Sequence, residues 1–276
     1  MIIVNLTTIH SRLNVCAATI WSLINQEKKP DKIVLWISDE PYLADTGLSE
    51  KPEFVNLLNK VADLIEVRYT ENTGPYRKII PALRIAKDED ILIYADDDVV
   101  YSEQWLKKLI EKYYQYQARY PIASRVRKVK NNIFGFQQGY FSYPIITDDV
   151  ILNDKFIITG IGGCVLQKKH ISKEYIFNND YLTIAPKTDD LWISKILQLS
   201  HSPILTCPDA LSDIQEINNN YESLSQSNVF ITSSSSRMIK LLMRIKVKMY
   251  SYFGIPCCNN DLALKKINNY FLNAKK

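Results

Sequence analysis

Five apolar residues, Ile91-Leu92-Ile93-Tyr94-Ala95, run straight into three carboxylates, Asp96-Asp97-Asp98. A short run that apolar reads as a β-strand buried on both faces, the kind found inside a parallel sheet covered by helices. The chain must then fold so that a central strand ends at an open edge, where its acids meet water or a ligand. Before this strand, Ile2 to Leu6, Lys32 to Ile37 and Ile65 to Tyr69 read as further strands. Leu13 to Ile24, Pro52 to Leu64 and Arg77 to Ala86 carry apolar residues at helical spacing between them. Ser102 is placed to cap a helix from Trp105 to about Gln117. Strands alternating with helices predict an α/β fold, a doubly wound and mostly parallel sheet flanked by helices, with ligands beyond the carboxyl ends of its strands.

Past Pro121 the order loosens. A strand near Ile122 to Val126, a polar and aromatic stretch, the run Phe156 to Leu166 and a helix from about Asp189 follow. We divide the chain into a catalytic unit at 1–224, with a nucleotide-binding half at 1–120 and an acceptor half at 121–224. A Ser/Asn-rich linker at 225–236 and a helical tail at 237–276 complete it. With 46% hydrophobic and 23% charged residues the chain is a folded protein, and its net charge of +4 is too mild to argue for nucleic acid. Five cysteines without a repeated C-x-x-C pair suit reduced, structural thiols. The sequence shows no signal peptide and no span of the roughly 20 apolar residues a bilayer requires, so a cytosolic address is expected.

Period-two geometry sends Asp96 and Asp98 to one face and Asp97 to the other. Neighbouring carboxylates repel unless a hard cation compensates, and Mg²⁺ or Mn²⁺ is held by one or two carboxylates plus substrate phosphates. Such an ion would neutralise a departing diphosphate. The plainer alternative is a polar strand end capping the next helix. A second acidic site, Asp189-Asp190, opens the helical pattern that contains Trp192; one Asp suits the free N–H groups and the helix dipole, which leaves the other available. Gly160-Ile161-Gly162-Gly163 is either a close backbone approach to a sugar or a bulge, and lacks the Lys-Ser/Thr continuation of a P-loop.

A hydrophobic strand followed by D-x-D at Ile91 to Asp98 resembles the signature of GT-A-fold glycosyltransferases of the family 2 type. Thr7-Thr8 and Arg12 after the first strand, Asp39 after the second, and Tyr76-Arg77-Lys78 fall where that fold places donor-binding groups. The resemblance covers roughly residues 1 to 200. It implies Thr8 and Asp39 beside the nucleotide base, Asp96 beside the ribose, and Asp98 as main metal ligand with Asp96. Lys78 or Arg77 would meet a phosphate or the ribose. Asp97 is counted with the cofactor-binding residues, although strand geometry turns it toward structural duty. In inverting members the general base resembles an Asp or Glu at a helix start in the acceptor half, which fits Asp190 best and Asp189 next. Gly162 and Gly163 would border the acceptor; Trp192 would stack on a sugar or belong to the core.

The implied reaction is sugar transfer from a nucleoside-diphosphate sugar, a UDP-sugar first, with Mn²⁺ or Mg²⁺, to a glycan or lipid-linked glycan in bacterial surface-polysaccharide assembly. A haloacid-dehalogenase-type phosphohydrolase could use Asp96-Asp97-Asp98-Val99-Val100, but its motif follows a first strand and here the acids follow a later one. A nucleotidyltransferase lacks its Gly-rich loop between Thr7 and Asn14. A non-catalytic nucleotide- or carbohydrate-binding protein is the reading from another class. In the tail, Arg237, Lys240, Arg244 and Lys248 form one basic stripe on a helix from 237 to 253. That helix either lies on an anionic membrane surface, peripheral to the cytoplasmic face, or packs on the catalytic unit.

Overall fold

A computed structural model describes residues 1–212, 214–217 and 237–273, the side chains of 237–244 excepted; the predicted linker at 225–236 lies outside the described residues. In chain order the first half holds β1 (Ile2–Thr7), α1 (Leu13–Ile24), β2 (Lys32–Ile37), α2 (Glu53–Asn59), β3 (Ile65–Tyr69), α3 (Ile80–Ile85), β4 (Ile91–Tyr94), β5 (Val99–Tyr101) and α4 (Trp105–Gln115). Then come β6 (Ile122–Ala123), β7 (Val126–Lys128), β8 (Ile151–Leu152), β9 (Phe156–Ile158), β10 (Cys164–Leu166), α5 (Lys173–Ile176) and α6 (Tyr181–Ile184). The order closes with α7 (Asp189–Leu199), β11 (Ile204–Thr206), α8 (Pro208–Leu211), β12 (Ile214–Glu216), α9 (Arg237–Tyr252) and α10 (Asn259–Asn273).

Eight of the described strands form one sheet in the order β3-β2-β1-β4-β10-β6-β11-β8. β3, β2, β1 and β4 are parallel, and β10 enters antiparallel to both β4 and β6. The winding reverses between β1 and β4, so the crevice beyond their carboxyl ends is the switch point of the sheet. Thr8 follows β1 there, and Asp96 to Asp98 follow β4.

Alternation along the strands divides the core in two. Leu92 and Tyr94 of β4 join Val34 and Trp36 of β2 on one face; Ile91 and Ile93 join Ile33, Leu35 and Ile37 on the other. The second face is covered by α1 and α4 through Ile20, Leu23, Leu106 and Leu109. The first is covered by α3, α7 and α10; Ala263, Ile267 and Phe271, four residues apart, are the stripe by which α10 docks.

Several elements depart from their predicted bounds. The helix predicted over Pro52 to Leu64 ends at Asn59, whose side chain accepts the Ile65 N–H (2.9 Å) and donates to the Ile65 carbonyl (2.8 Å), turning the chain into β3. The stretch from Arg77 divides into a 3₁₀ turn, Gly74–Lys78, and α3, because Pro81 sets the first turn of a new helix. Ser102 does not cap α4 with its hydroxyl; its carbonyl accepts the Trp105 N–H at 3.0 Å. The strand expected over Ile122 to Val126 splits between the main sheet and a ribbon in which β7 pairs with β9.

Candidate active site

The acidic turn is held from three sides. The Thr19 hydroxyl of α1 donates to the Asp97 carbonyl (2.9 Å) and accepts the Val99 N–H (3.1 Å). The Asp96 N–H donates to the Tyr101 hydroxyl (3.1 Å), which in turn reaches the Ile161 carbonyl (3.4 Å). β12 closes the third side, with the Ile217 N–H on the Asp98 carbonyl at 2.8 Å. The three carboxylates therefore have fixed and different surroundings. Asp97 is buried, accepts the Thr8 hydroxyl (2.6 Å) and pairs with Arg12 (2.6 Å). Burial pushes its carboxyl up to about 6 despite Arg12. Asp98 shares the same guanidinium nitrogen at 2.7 Å, and burial, opposed by Arg12, raises its carboxyl too. Asp96 accepts Lys78 Nζ at 2.6 Å.

Lys78 bridges this turn to α7, since its ammonium also lies 2.8 Å from Asp189 Oδ2. Burial disfavours that charge, but Asp189, Asp96 and Asp190 together hold the ammonium well above its ordinary value. Asp189 is spent on this pair. Asp190 accepts the Gly160 N–H at 2.9 Å, while its backbone carbonyl takes the Ser194 hydroxyl (2.6 Å), itself bonded to the Ile158 N–H (2.8 Å). Burial first and Asp189 second push the Asp190 carboxyl up to about 8, against the pull of Lys78. A methyl on Gly160 would lie 2.5 Å from Lys78 Nζ, 2.8 Å from Asp96 Oδ1 and 3.2 Å from Asp190 Oδ1. The two acidic sites thus converge over one glycine.

These groups line a cavity of about 480 Å³, within the size range of small-molecule sites. Thr8, Arg12, Arg77, Lys78, Asp96, Asp97, Asp98, Asp189 and Asp190, all expected at the site, reach its wall. Arg77 is buried rather than a solvated helix face. Its Nη2 pairs with Asp45 (2.7 Å) and donates to the Thr8 carbonyl (3.3 Å); burial lowers its pKa, and Nη1 is buried without a hydrogen-bond partner.

Four expected site residues do not reach the wall. Asp39 is exposed and outside the cavity; the loop returns at Gly47, whose φ of +87° leaves no room for a Cβ against the Asp39 carbonyl, and delivers Asp45 instead. Gly162 and Gly163 lie off the cavity wall in tight packing. The Gly162 carbonyl accepts Trp105 Nε1 (2.9 Å) and the Ser124 hydroxyl (2.7 Å), and a Cβ on Gly163 would lie 2.3 Å from the Trp105 ring. Trp192 is fully buried among Tyr181, Tyr270 and Phe271 and cannot stack on a sugar. Sequence reasoning missed Asp45, Arg125, Arg127 and Tyr140, all lining the cavity, and carried only Gly162 and Gly163 of the glycine run forward, although Gly160 is the one against the acids. The alternation Arg125-Val126-Arg127, with the valine buried, is the signal that could have found the arginines.

Asp96 and Asp98 are two carboxylates on one turn, 28% and 33% exposed, the oxygen ligands a hard divalent cation takes, and such an ion would have to displace or share the Lys78 and Arg12 contacts they make here. Among the described residues no group of three or more His, Cys, Asp or Glu side chains is spaced to hold a metal alone. The remaining ligands would have to be phosphate oxygens and water, the usual manner of Mg²⁺.

A family model described as Glycosyl transferase family 2 matches residues 6–176. Among solved structures, S. aureus TarS 1-349 is 17% identical with a TM-score of 0.50, covering 75% of this chain and 58% of its own. The structure of S. aureus TarS 1-349 in complex with UDP aligns at 18% identity, 75% and 57% coverage and a TM-score of 0.48. Francisella tularensis 2-C-methyl-D-erythritol 4-phosphate cytidylyltransferase (IspD) is 14% identical, with 79% of this chain and 94% of that one covered and a TM-score of 0.45. The chain spans little more than half of the TarS structure it matches. The first likeness shows a shared GT-A-type fold. A search of curated protein sequences gives no match.

Proposed function

The chain belongs to glycosyl transferase family 2, and from that premise we propose that it moves a sugar from a nucleoside-diphosphate sugar to a glycan or lipid-linked glycan, with inversion, in bacterial surface-polysaccharide synthesis. The family match favours sugar transfer over the phosphohydrolase and binding-protein readings. The convergence of Asp96 and Asp190 over Gly160 carries the proposal. The two carboxylates stand so close, with Lys78 Nζ beside them, that no methyl fits over Gly160, and a reacting sugar would lie against both from the cavity side.

On the donor side, Thr8, Arg12 and Asp97 form one bonded cluster, and the unpartnered Nη1 of Arg77 is a ready donor for ribose or phosphate. Asp98 with Asp96 would hold Mn²⁺ or Mg²⁺, which supplies charge neutralisation to the leaving diphosphate. Asp190 accepts the proton of the attacking acceptor hydroxyl, and its high pKa gives it a basicity matched to that task. Asp189 holds Lys78, and through it Asp96, in place. The basic helix α9 is proposed to rest on an anionic membrane surface.

Two variants test the chemistry. Asp98→Ala should lose Mn²⁺-dependent UDP binding by calorimetry. Asp190→Ala should keep that binding and lose transfer by about 10² to 10⁴-fold. Unchanged turnover in both variants would refute the mechanism.

A further inference from the structure

Six cationic side chains line the cavity, and they divide into two sets of three. Arg12, Arg77 and Lys78 are each ion-paired, with Asp97 and Asp98, with Asp45, and with Asp96 and Asp189. Arg125, Arg127 and Lys187 pair with no carboxylate among the described residues. All three belong to the acceptor half. Arg125 immediately precedes β7 and Arg127 lies within it, two residues apart and so on one face, and Lys187 precedes α7 by two residues.

Arg127 is held in place without being neutralised. Its Nη1 donates to the Tyr143 carbonyl (2.9 Å), its guanidinium lies 5.0 Å from the Tyr140 ring centroid, and its Nε is buried with no hydrogen-bond partner. Arg125 is fixed through its backbone, whose carbonyl accepts the Thr159 N–H (3.0 Å) beside Gly160, but its guanidinium has no partner among the described residues. A buried donor left unmade costs free energy, and like charges lining one cavity repel, so an anion accepting from both guanidiniums would remove both penalties at once.

We propose that Arg125, Arg127 and Lys187 form an anion subsite on the acceptor side of Asp190, and that the acceptor carries a phosphate or a carboxylate close to the hydroxyl that attacks. The proposal rests on the sugar-transfer reading of this cavity. Arg guanidiniums bind either oxyanion through two parallel N–H donors, so both belong to one recognition chemistry. The other source of such an anion is the donor diphosphate. The donor side already has three cations of its own, which favours the acceptor.

The test is a calorimetric titration of the full chain with glucose, glucose 6-phosphate, glucuronate and, separately, UDP with Mn²⁺. Wild type should bind glucose 6-phosphate or glucuronate at least tenfold more tightly than glucose. Arg125→Gln and Lys187→Gln should each reduce that preference severalfold and together abolish it, with UDP affinity within twofold of wild type. Both side chains are partly or fully exposed, so the fold tolerates their loss, and an unchanged thermal midpoint checks this. Equal affinity for charged and neutral sugars in wild type overturns the proposal, as does an intact preference in the double variant. Parallel loss of UDP affinity gives these cations to the donor and overturns the acceptor assignment. Wild-type chain that binds no UDP sinks the donor reading instead, whatever the sugars show.

Discussion

At the scale of single residues, the cavity separates acids that look equivalent in sequence. Asp189 and Asp190 are neighbours at the start of α7, yet among the described residues one is paired with Lys78 and the other accepts only a backbone N–H. The unpaired one is pushed up to about 8 by burial and by Asp189. A base works only when ionised, and its ionised fraction grows as pH rises toward that value. We therefore expect kcat/KM to rise about tenfold per pH unit below about pH 8 and to level off above it. Asp190→Asn should flatten this limb at a low residual rate. A steep limb that persists in the variant assigns it to another group.

At the scale of elements, α10 belongs to the core rather than to an appendage. Phe271 packs against Trp192 with ring centroids 5.0 Å apart, and Trp192 lies two residues from Asp190 on α7. Trp192→Ala should cost about 3 to 5 kcal/mol of unfolding free energy in a urea titration, with folded enzyme keeping its acceptor KM. A raised acceptor KM without loss of stability would restore Trp192 to the sugar site. This part of the structure also marks where sequence reading stops. The parallel strands and the acidic turn were legible, because strand periodicity and a carboxylate run at a strand end are local signals, whereas the switch point came only with the strand order. Asp45 was not, since the choice of which carboxylate returns to Arg77 depends on the path of the loop through Gly47. Gly160 was passed over for Gly162 and Gly163 because nothing local says that Trp105 will fill the space beside the later two. The second half of the sheet mixes strand directions in two- and three-residue strands, too short for alternation to show.

At the scale of the whole molecule, no helix among the described residues is long and apolar enough to cross a membrane. The end of α9 still presents Lys246 and Lys248 to solvent beside exposed Ile245 and Met249, with Phe253 just beyond. Each basic residue near an anionic surface contributes roughly 1 kcal/mol, so Lys246→Ala with Lys248→Ala should cut retention on anionic vesicles by about tenfold or more. Neutral vesicles should retain little of either protein; equal retention on both lipids would leave α9 without that role.

The wall opposite the acidic turn is completed from far along the sequence. Cys258 and Asn260 line the cavity, and Asp261 beside them accepts the Tyr140 N–H (2.7 Å) with one oxygen and the Cys257 N–H (2.8 Å) with the other. One carboxylate thus ties the loop before α10 to the Tyr140 segment. On a ribosome these residues emerge long after β1 and β4. A nascent chain would carry the Asp96 to Asp98 run well before this wall exists, so the enclosed cavity would be the last feature the molecule acquires as it is made.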